Sequence, residues 1–377
     1  MKKLALTVFF DVVLLMLLGL AIVMSASSSY SIFKFESLYH LFNSHLGKVL
    51  LGFGFMVLFA FIPYEIYKSV SKPAIIGMTV LLLMTLFVAP TIKGAGRWIN
   101  LGFITFQPAD MAKLVLIIHL AVLIETRKEL VASYKESFIH LFFWIIIISG
   151  LVLIQPNISN AVILMLTGLT VLFVGGARLK HIIFSALGAI GTGLTAALLF
   201  PHSQKRIFTY INSLHNGGDI NIQVKQALLG LGSGGLFGIG MGHSKQSNLF
   251  LPEAYGDFIF AILGEEMGFI GAVVIILSYL VLFVAGILIA KKAKDRFGQL
   301  LAFGITFSII LNAFINIAVA TGLVPTTGLP LPFISYGGTS LIFQCIGVGI
   351  LLNIAIANSI EQNKTDGLAV GAVEQPI

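Results

Sequence analysis

The residue of this chain best placed to do chemistry is Asp257, which stands where a polar, proline-bearing approach (251–256) meets a long apolar run. A carboxylate at a helix start is favoured by the helix dipole, stays ionised and can accept a proton. The same position suits an N-cap, so two readings stand together: a catalytic base at the mouth of a membrane-embedded site, and a helix cap. Glu265 and Glu266 follow inside the same apolar run. On a helix they are turned from Asp257 by about 80° and about 180°. A charge at bilayer depth costs at least ~2.5–3.5 kcal/mol on insertion scales, so a buried partner is expected. Lys113, inside another apolar run, is a candidate, and a structural buried pair is the plainer reading of the two glutamates.

Further polar groups interrupt the apolar pattern. Arg97 and Trp98 lie in GAGRWINLG, which reads either as an interfacial aromatic anchor beside a loop cation or as a phosphate grip. Gln155, Pro156 and Asn157 break a membrane hairpin, and 325–340 (PTTGLPLPFISYGGTS) is rich in Pro, Gly, Ser and Thr. Irregular backbone at such depth is tolerated only where it is buried in protein or lines a cavity. The Gly-rich run 230–242 fits a flexible linker, a close-packed turn or an anion nest, and it matches no phosphate-loop or dinucleotide pattern. The histidines are scattered, no metal-ligand spacing or GxSxG is present, and no cofactor is indicated.

The elements that must position these residues are set by composition. The chain is 57% hydrophobic and only 10% charged over 377 residues, with mean hydropathy +0.99. Soluble domains carry about 25% charged residues, so this is an all-α polytopic membrane protein. Ten apolar runs are long enough to count as spans: 7–27, 46–66, 74–92, 108–126, 138–155, 158–176, 181–200, 257–290, 299–320 and 335–358. The first resembles a signal peptide but is read as a retained span. More than half of the 23 basic residues fall in segments that an N-in/C-in arrangement puts in the cytoplasm, Lys68, Lys72, Lys291 and Arg296 among them. That leaves a large extracytoplasmic loop, 201–256, between the seventh and eighth spans. Its cations, with those of 91–107, make an outer face suited to a phosphate or pyrophosphate. The net charge of +7 is spread in short groups and is no nucleic-acid signature, and the single cysteine, Cys345, excludes a disulfide within the chain. Residues 1–360 read as one membrane domain and 361–377 as a short polar cytoplasmic tail expected to be disordered.

Five stretches together resemble the SEDS family (shape, elongation, division and sporulation), the peptidoglycan glycosyltransferases FtsW, RodA and SpoVE. They are MSASS (24–28), GRWINLGFITFQPADMAKL (96–114), QPN (155–157), 231–272 and 325–340. The first and fourth look more like the division member than the elongation member. The resemblance implies a ten-helix polymerase of lipid II, acting at the outer face of the bacterial cytoplasmic membrane, whose essential aspartate carries over to Asp257. It implies a class B penicillin-binding protein and other division proteins as partners. The residues singled out for substrate contact are Arg97, Trp98, Lys113, Gln155, Lys245, Glu253, Ser335, Tyr336, Gly337 and Gly338. Two departures stand out: the family's His-Thr before the aspartate is Tyr255-Gly256 here, and its QPD is QPN. A divalent cation could assist the pyrophosphate, without a visible ligand set. A flippase for lipid-linked precursors, a scaffold for division proteins and an elongation polymerase are the competing readings.

Overall fold

Where lipid replaces water, a backbone must satisfy its own hydrogen bonds, and a helix does so within one segment. The computed structural model is accordingly almost wholly helical. It describes residues 1–88, 96–100, 105–127, 131, 133, 134, 138–216 and 221–373, with backbone only for 100, 196, 197, 201–203, 205, 213–216, 249 and 360–373. Lys93, Lys128, Lys135 and the Gly-Gly-Asp stretch 217–219 therefore lie outside the described residues, as do the side chains of Lys205 and Lys364.

The chain runs through α1 (Lys2–Phe35), α2 (His40–Phe61), α3 (Ile66–Val88), β1 (Ile99–Asn100), β2 (Thr105–Phe106), α4 (Pro108–Arg127), α5 (Ile139–Ile154) and α6 (Ile158–Val174). It continues through α7 (Leu179–Leu199), α8 (Pro201–Asn216), α9 (Ile222–Ser233), a π-helical turn (Gln246–Phe250), α10 (Ile259–Lys292), α11 (Arg296–Ala320) and α12 (Thr339–Val373). Among the described residues, each of the ten apolar runs lies mainly on one helix. Six helices are long and apolar enough to cross a membrane: α1, α2, α3, α10, α11 and the Thr339–Ser359 part of α12. Helices α5, α6 and α7 are shorter apolar ones. Helix α4 carries Asp110, Lys113, Glu125 and Arg127, and its first turns are buried.

Helix α12 forms the centre and α2 and α3 the margin: 78% of the apolar window of α12 is buried, against 28% for α2 and for α3. Bare glycines let α2 and α12 approach closely, because a Cβ on Gly349 would fall 2.5 Å from the Met56 carbonyl oxygen and one on Gly52 would fall 2.7 Å from Leu341. At one end of the bundle, Lys68 on α3 bridges Glu125 on α4 (2.9 Å) and Asp295 before α11 (2.7 Å), and Lys294 pairs with Glu65 (3.1 Å). At the other end the loop between α11 and α12 folds back over the start of α10. Among the described residues of 201–256, α8, α9 and the π-helical turn occupy the greater part.

Candidate active site

Asp257 is half-buried two residues before α10, and three neighbouring carbonyls fix its backbone. The Tyr336 N–H donates to the Tyr255 oxygen (2.9 Å), the Ser335 hydroxyl to the Gly256 oxygen (2.7 Å), and the Asn316 amide to the Asp257 oxygen (2.9 Å). The same Asn316 amide donates to Leu329 (2.7 Å), and Ser335 accepts from the Leu331 N–H (2.8 Å). Such buried, fully used donors hold a segment in one arrangement. The 325–338 loop and α11 thereby set where the Asp257 carboxylate points.

That carboxylate faces Gly328, where a Cβ would sit 3.5 Å from Oδ2. Gly328 has φ +76°, a left-handed conformation that glycine adopts without strain. Two guanidiniums share the mouth. Arg206, on α8, donates to the Thr326 oxygen (3.1 Å) and feels the charge of Asp257. Arg97 is held lower than its ordinary value by burial and then by the Arg206 charge, while Asp257 pulls it up. Both remain cationic at neutral pH, because arginine ordinarily titrates above 12. One carboxylate and two cations, brought from three separate elements, suit an acceptor hydroxyl beside a diphosphate.

An aromatic wall adjoins them. The Tyr255 ring stands edge-on to Tyr336 (5.6 Å) and near Tyr30 (5.3 Å), and the Lys48 ammonium lies 4.0 Å over the Tyr336 ring. Burial and then the Glu253 charge raise the Tyr255 phenol above its ordinary value, so it stays protonated. Trp98 packs on Gly338, where a Cβ would meet its ring at 3.4 Å and the Thr105 oxygen at 3.2 Å. The loop before α4 is thus pressed onto the loop before α12.

Comparison with known proteins shows the family of the chain. The family model described as "Cell cycle protein", that of FtsW, RodA and SpoVE, matches residues 5–360. The chain belongs to the FtsW/RodA/SpoVE family. It is 36% identical over 345 residues to the Geobacter sp. (strain M18) protein named "Probable peptidoglycan glycosyltransferase FtsW", covering 91% of this chain and 94% of that one. It is 35% identical over 346 residues to stage V sporulation protein E of Bacillus subtilis (strain 168), again covering 91% and 94%. Among solved structures, it is similar to a chain described under "Structural coordination of polymerization and crosslinking by a peptidoglycan synthase complex", with TM-score 0.76, 25% identity and coverage of 93% and 97%. Rod shape determining protein RodA of Thermus thermophilus matches with TM-score 0.70, 25% identity and coverage of 93% and 96%.

Within this FtsW/RodA/SpoVE fold the expected site residues divide. Asp257, Arg97, Trp98, Ser335, Tyr336 and Gly338 gather at one mouth, with Glu253 and Gly337 on the same two loops. Glu253 holds the turn into Asp257, its carbonyl accepting from Gly256 at 3.0 Å. Lys113 is not the partner of either glutamate. It pairs with Asp110 one turn earlier on α4 (3.1 Å), both nearly buried, and Asp110 also receives Thr339 at 3.4 Å. That pair lines a narrow cleft between α4, α11 and α12. Gln155 ties α5 to α3 through the Leu82 oxygen (3.0 Å), and Ser159 reaches the Thr327 oxygen (2.8 Å). Lys245 is exposed, and its N–H donates to Glu265 (3.2 Å).

Glu265 and Glu266 are buried and receive neutral donors. Glu265 accepts from the Ser244 and Ser233 hydroxyls and from the N–H groups of Lys245 and Gln246. Glu266 accepts from the Ser25 hydroxyl and from the Gly242 N–H. The break in α10 at Gly268, with φ +68°, lets the Gly-rich loop lace onto the helix, so both carboxylates serve one loop. Of the three readings of that loop, the close-packed turn is the one observed. Among the described residues no group of three or more His, Cys, Asp or Glu could hold a metal. Arg206 and Asn316 complete the mouth although neither was among the expected site residues. Arg206 was legible only as one cation in a polar loop.

Proposed function

We propose that this chain is a peptidoglycan glycosyltransferase that polymerises lipid II into glycan strands for the division septum. The observation that carries the reading is the Asp257 carboxylate, held before α10, whose charge is felt by both Arg97 and Arg206. Asp257 takes the proton from the 4-hydroxyl of the acceptor N-acetylglucosamine as that oxygen bonds to the anomeric carbon of the donor N-acetylmuramic acid. The anomeric bond to the pyrophosphate breaks, its electron pair leaves with undecaprenyl pyrophosphate, and the configuration inverts. A positioned base contributes roughly 10²–10⁴ in rate, and cations facing the leaving group stabilise the charge it gains. No cofactor is required by this scheme. A divalent cation, if one takes part, enters on the pyrophosphate.

The topology that goes with the reading is ten spans with both termini in the cytoplasm of a bacterium, the Lys68–Asp295 end of the bundle inside and the Asp257 mouth outside. Identity of about a third to proteins named FtsW and SpoVE, against a quarter to RodA, supports the septal role over the elongation role. A class B penicillin-binding protein is the proposed partner, crosslinking the strands as they emerge, with other division proteins around it.

The experiment is polymerisation of purified lipid II by the protein with its transpeptidase partner, wild type beside Asp257→Asn at equal folded amounts. Polymer from wild type alone is expected. Polymer made by Asp257→Asn at the wild-type rate would remove Asp257 from the mechanism.

A further inference from the structure

At the end of the bundle opposite Asp257, a cleft open to solvent lies between α6, α10 and α11. Its walls are Val174, Ile287, Leu300 and Phe303, and its rim carries Lys291 and Arg296. We propose that this cleft binds an anionic glycerophospholipid, with one acyl chain along the apolar walls and the phosphate between Lys291 and Arg296. The inference is independent of the reaction at Asp257.

The charge distribution argues for it. The carboxylates Glu65, Glu125 and Asp295 at this end are engaged by Lys68 and Lys294. Among the described residues no carboxylate lies in ion-pair range of Lys291 or Arg296, so the cleft has a positive rim over an apolar interior. That pairing of charge and greasy wall complements a phosphate head on a hydrocarbon tail, and basic pockets between membrane helices are a known form of headgroup site. Arg296 is already oriented: its Nη2 donates to the Gly175 oxygen at 2.5 Å. Gly176, at φ +102°, turns the chain there, and a Cβ on it would stand 3.4 Å from the same nitrogen. The guanidinium therefore keeps one bond to the protein and offers its other donors outward.

The full-length protein in mild detergent would be titrated with dioleoyl-phosphatidylglycerol and, separately, with dioleoyl-phosphatidylcholine, and retained lipid counted by native mass spectrometry. At about 1 kcal/mol per cation near an anionic lipid, two cations correspond to a preference of roughly 30-fold for phosphatidylglycerol, and Lys291→Gln to a loss of about fivefold. Lys291→Gln with Arg296→Gln should bind the two lipids alike. Val174→Trp fills the wall, leaves both cations in place and should weaken retention of phosphatidylglycerol as well. Lys291→Gln and Val174→Trp change exposed side chains, so they carry the test even where the double variant fails to fold. Equal retention of the two lipids by wild type would overturn the proposal. So would Val174→Trp binding like wild type, which would mean attraction by surface charge without use of the cleft.

Discussion

Asp257 and the pair Glu265–Glu266 are carboxylates of one short stretch, yet they have opposite surroundings. Asp257 is half-exposed, its backbone clamped by three carbonyl bonds while two cations from other elements face its side chain. The glutamates are 1% and 2% exposed, and both oxygens of Glu265 and Oε1 of Glu266 are occupied by hydroxyls and backbone N–H groups of the 233–246 loop and α1, while Glu266 Oε2 has no partner among the described residues. The difference teaches where to look for chemistry in a membrane helix. A carboxylate whose backbone is held and whose side chain is left to meet charge is available to a substrate. One whose side chain is the acceptor for its own loop is part of the scaffold.

The comparison breaks or sharpens under substitution. The largest effect is expected at Asp257→Asn, a fall of about 10³-fold in polymerisation with no change of melting temperature. Equal activity loss in Glu266→Gln, without loss of stability, would abolish the distinction. Next comes Glu265→Ala, which orphans the Ser244 hydroxyl and two N–H groups, while Ser233 keeps its bond to the Gly230 carbonyl. It should destabilise the fold by roughly 3 kcal/mol, read as a lower melting temperature in detergent. Arg206→Ala follows, with a loss of about 10²-fold in activity (about 2.7 kcal/mol) and no change of fold, if it faces the leaving pyrophosphate. The smallest effect belongs to a third carboxylate, Asp295. Burial alone would raise it, but bonds from Lys68, Tyr64 and the Gly298 N–H hold it below the usual aspartate value. A lowered folded value contributes stability above the unfolded value of about 3.9, and that contribution is lost as pH falls through the folded value. Melting curves should therefore show no change from this group between pH 7 and pH 5, and a loss under about 1 kcal/mol below pH 4, absent in Asp295→Asn.

Much of this was legible in the chain itself. Apolar runs foretold the helices because length and hydropathy are local properties, and Asp257 stood out because a charge at a run's edge is local too. The partners were harder. Lys113 was matched to the wrong carboxylates although Asp110 lies one turn away in PADMAK, a spacing that already allows the pair. Arg206 was hidden because α8 is a polar helix whose position over Thr326 depends on tertiary packing. The role of the Gly-rich run was equally invisible, since nothing local says that Ile239 and Gly240 will donate to the carbonyls of Glu265 and Glu266.

The two guanidiniums at the mouth have one more consequence. Arg97 and Arg206 repel each other across a half-buried space, and a single carboxylate offsets only part of that repulsion. Under the proposed function the anion that arrives there is a diphosphate, whose charge would offset the rest of that repulsion. Occupancy and thermal resistance would then be linked, the stability rising by RT ln(1 + [L]/Kd) and the melting temperature rising with ligand concentration.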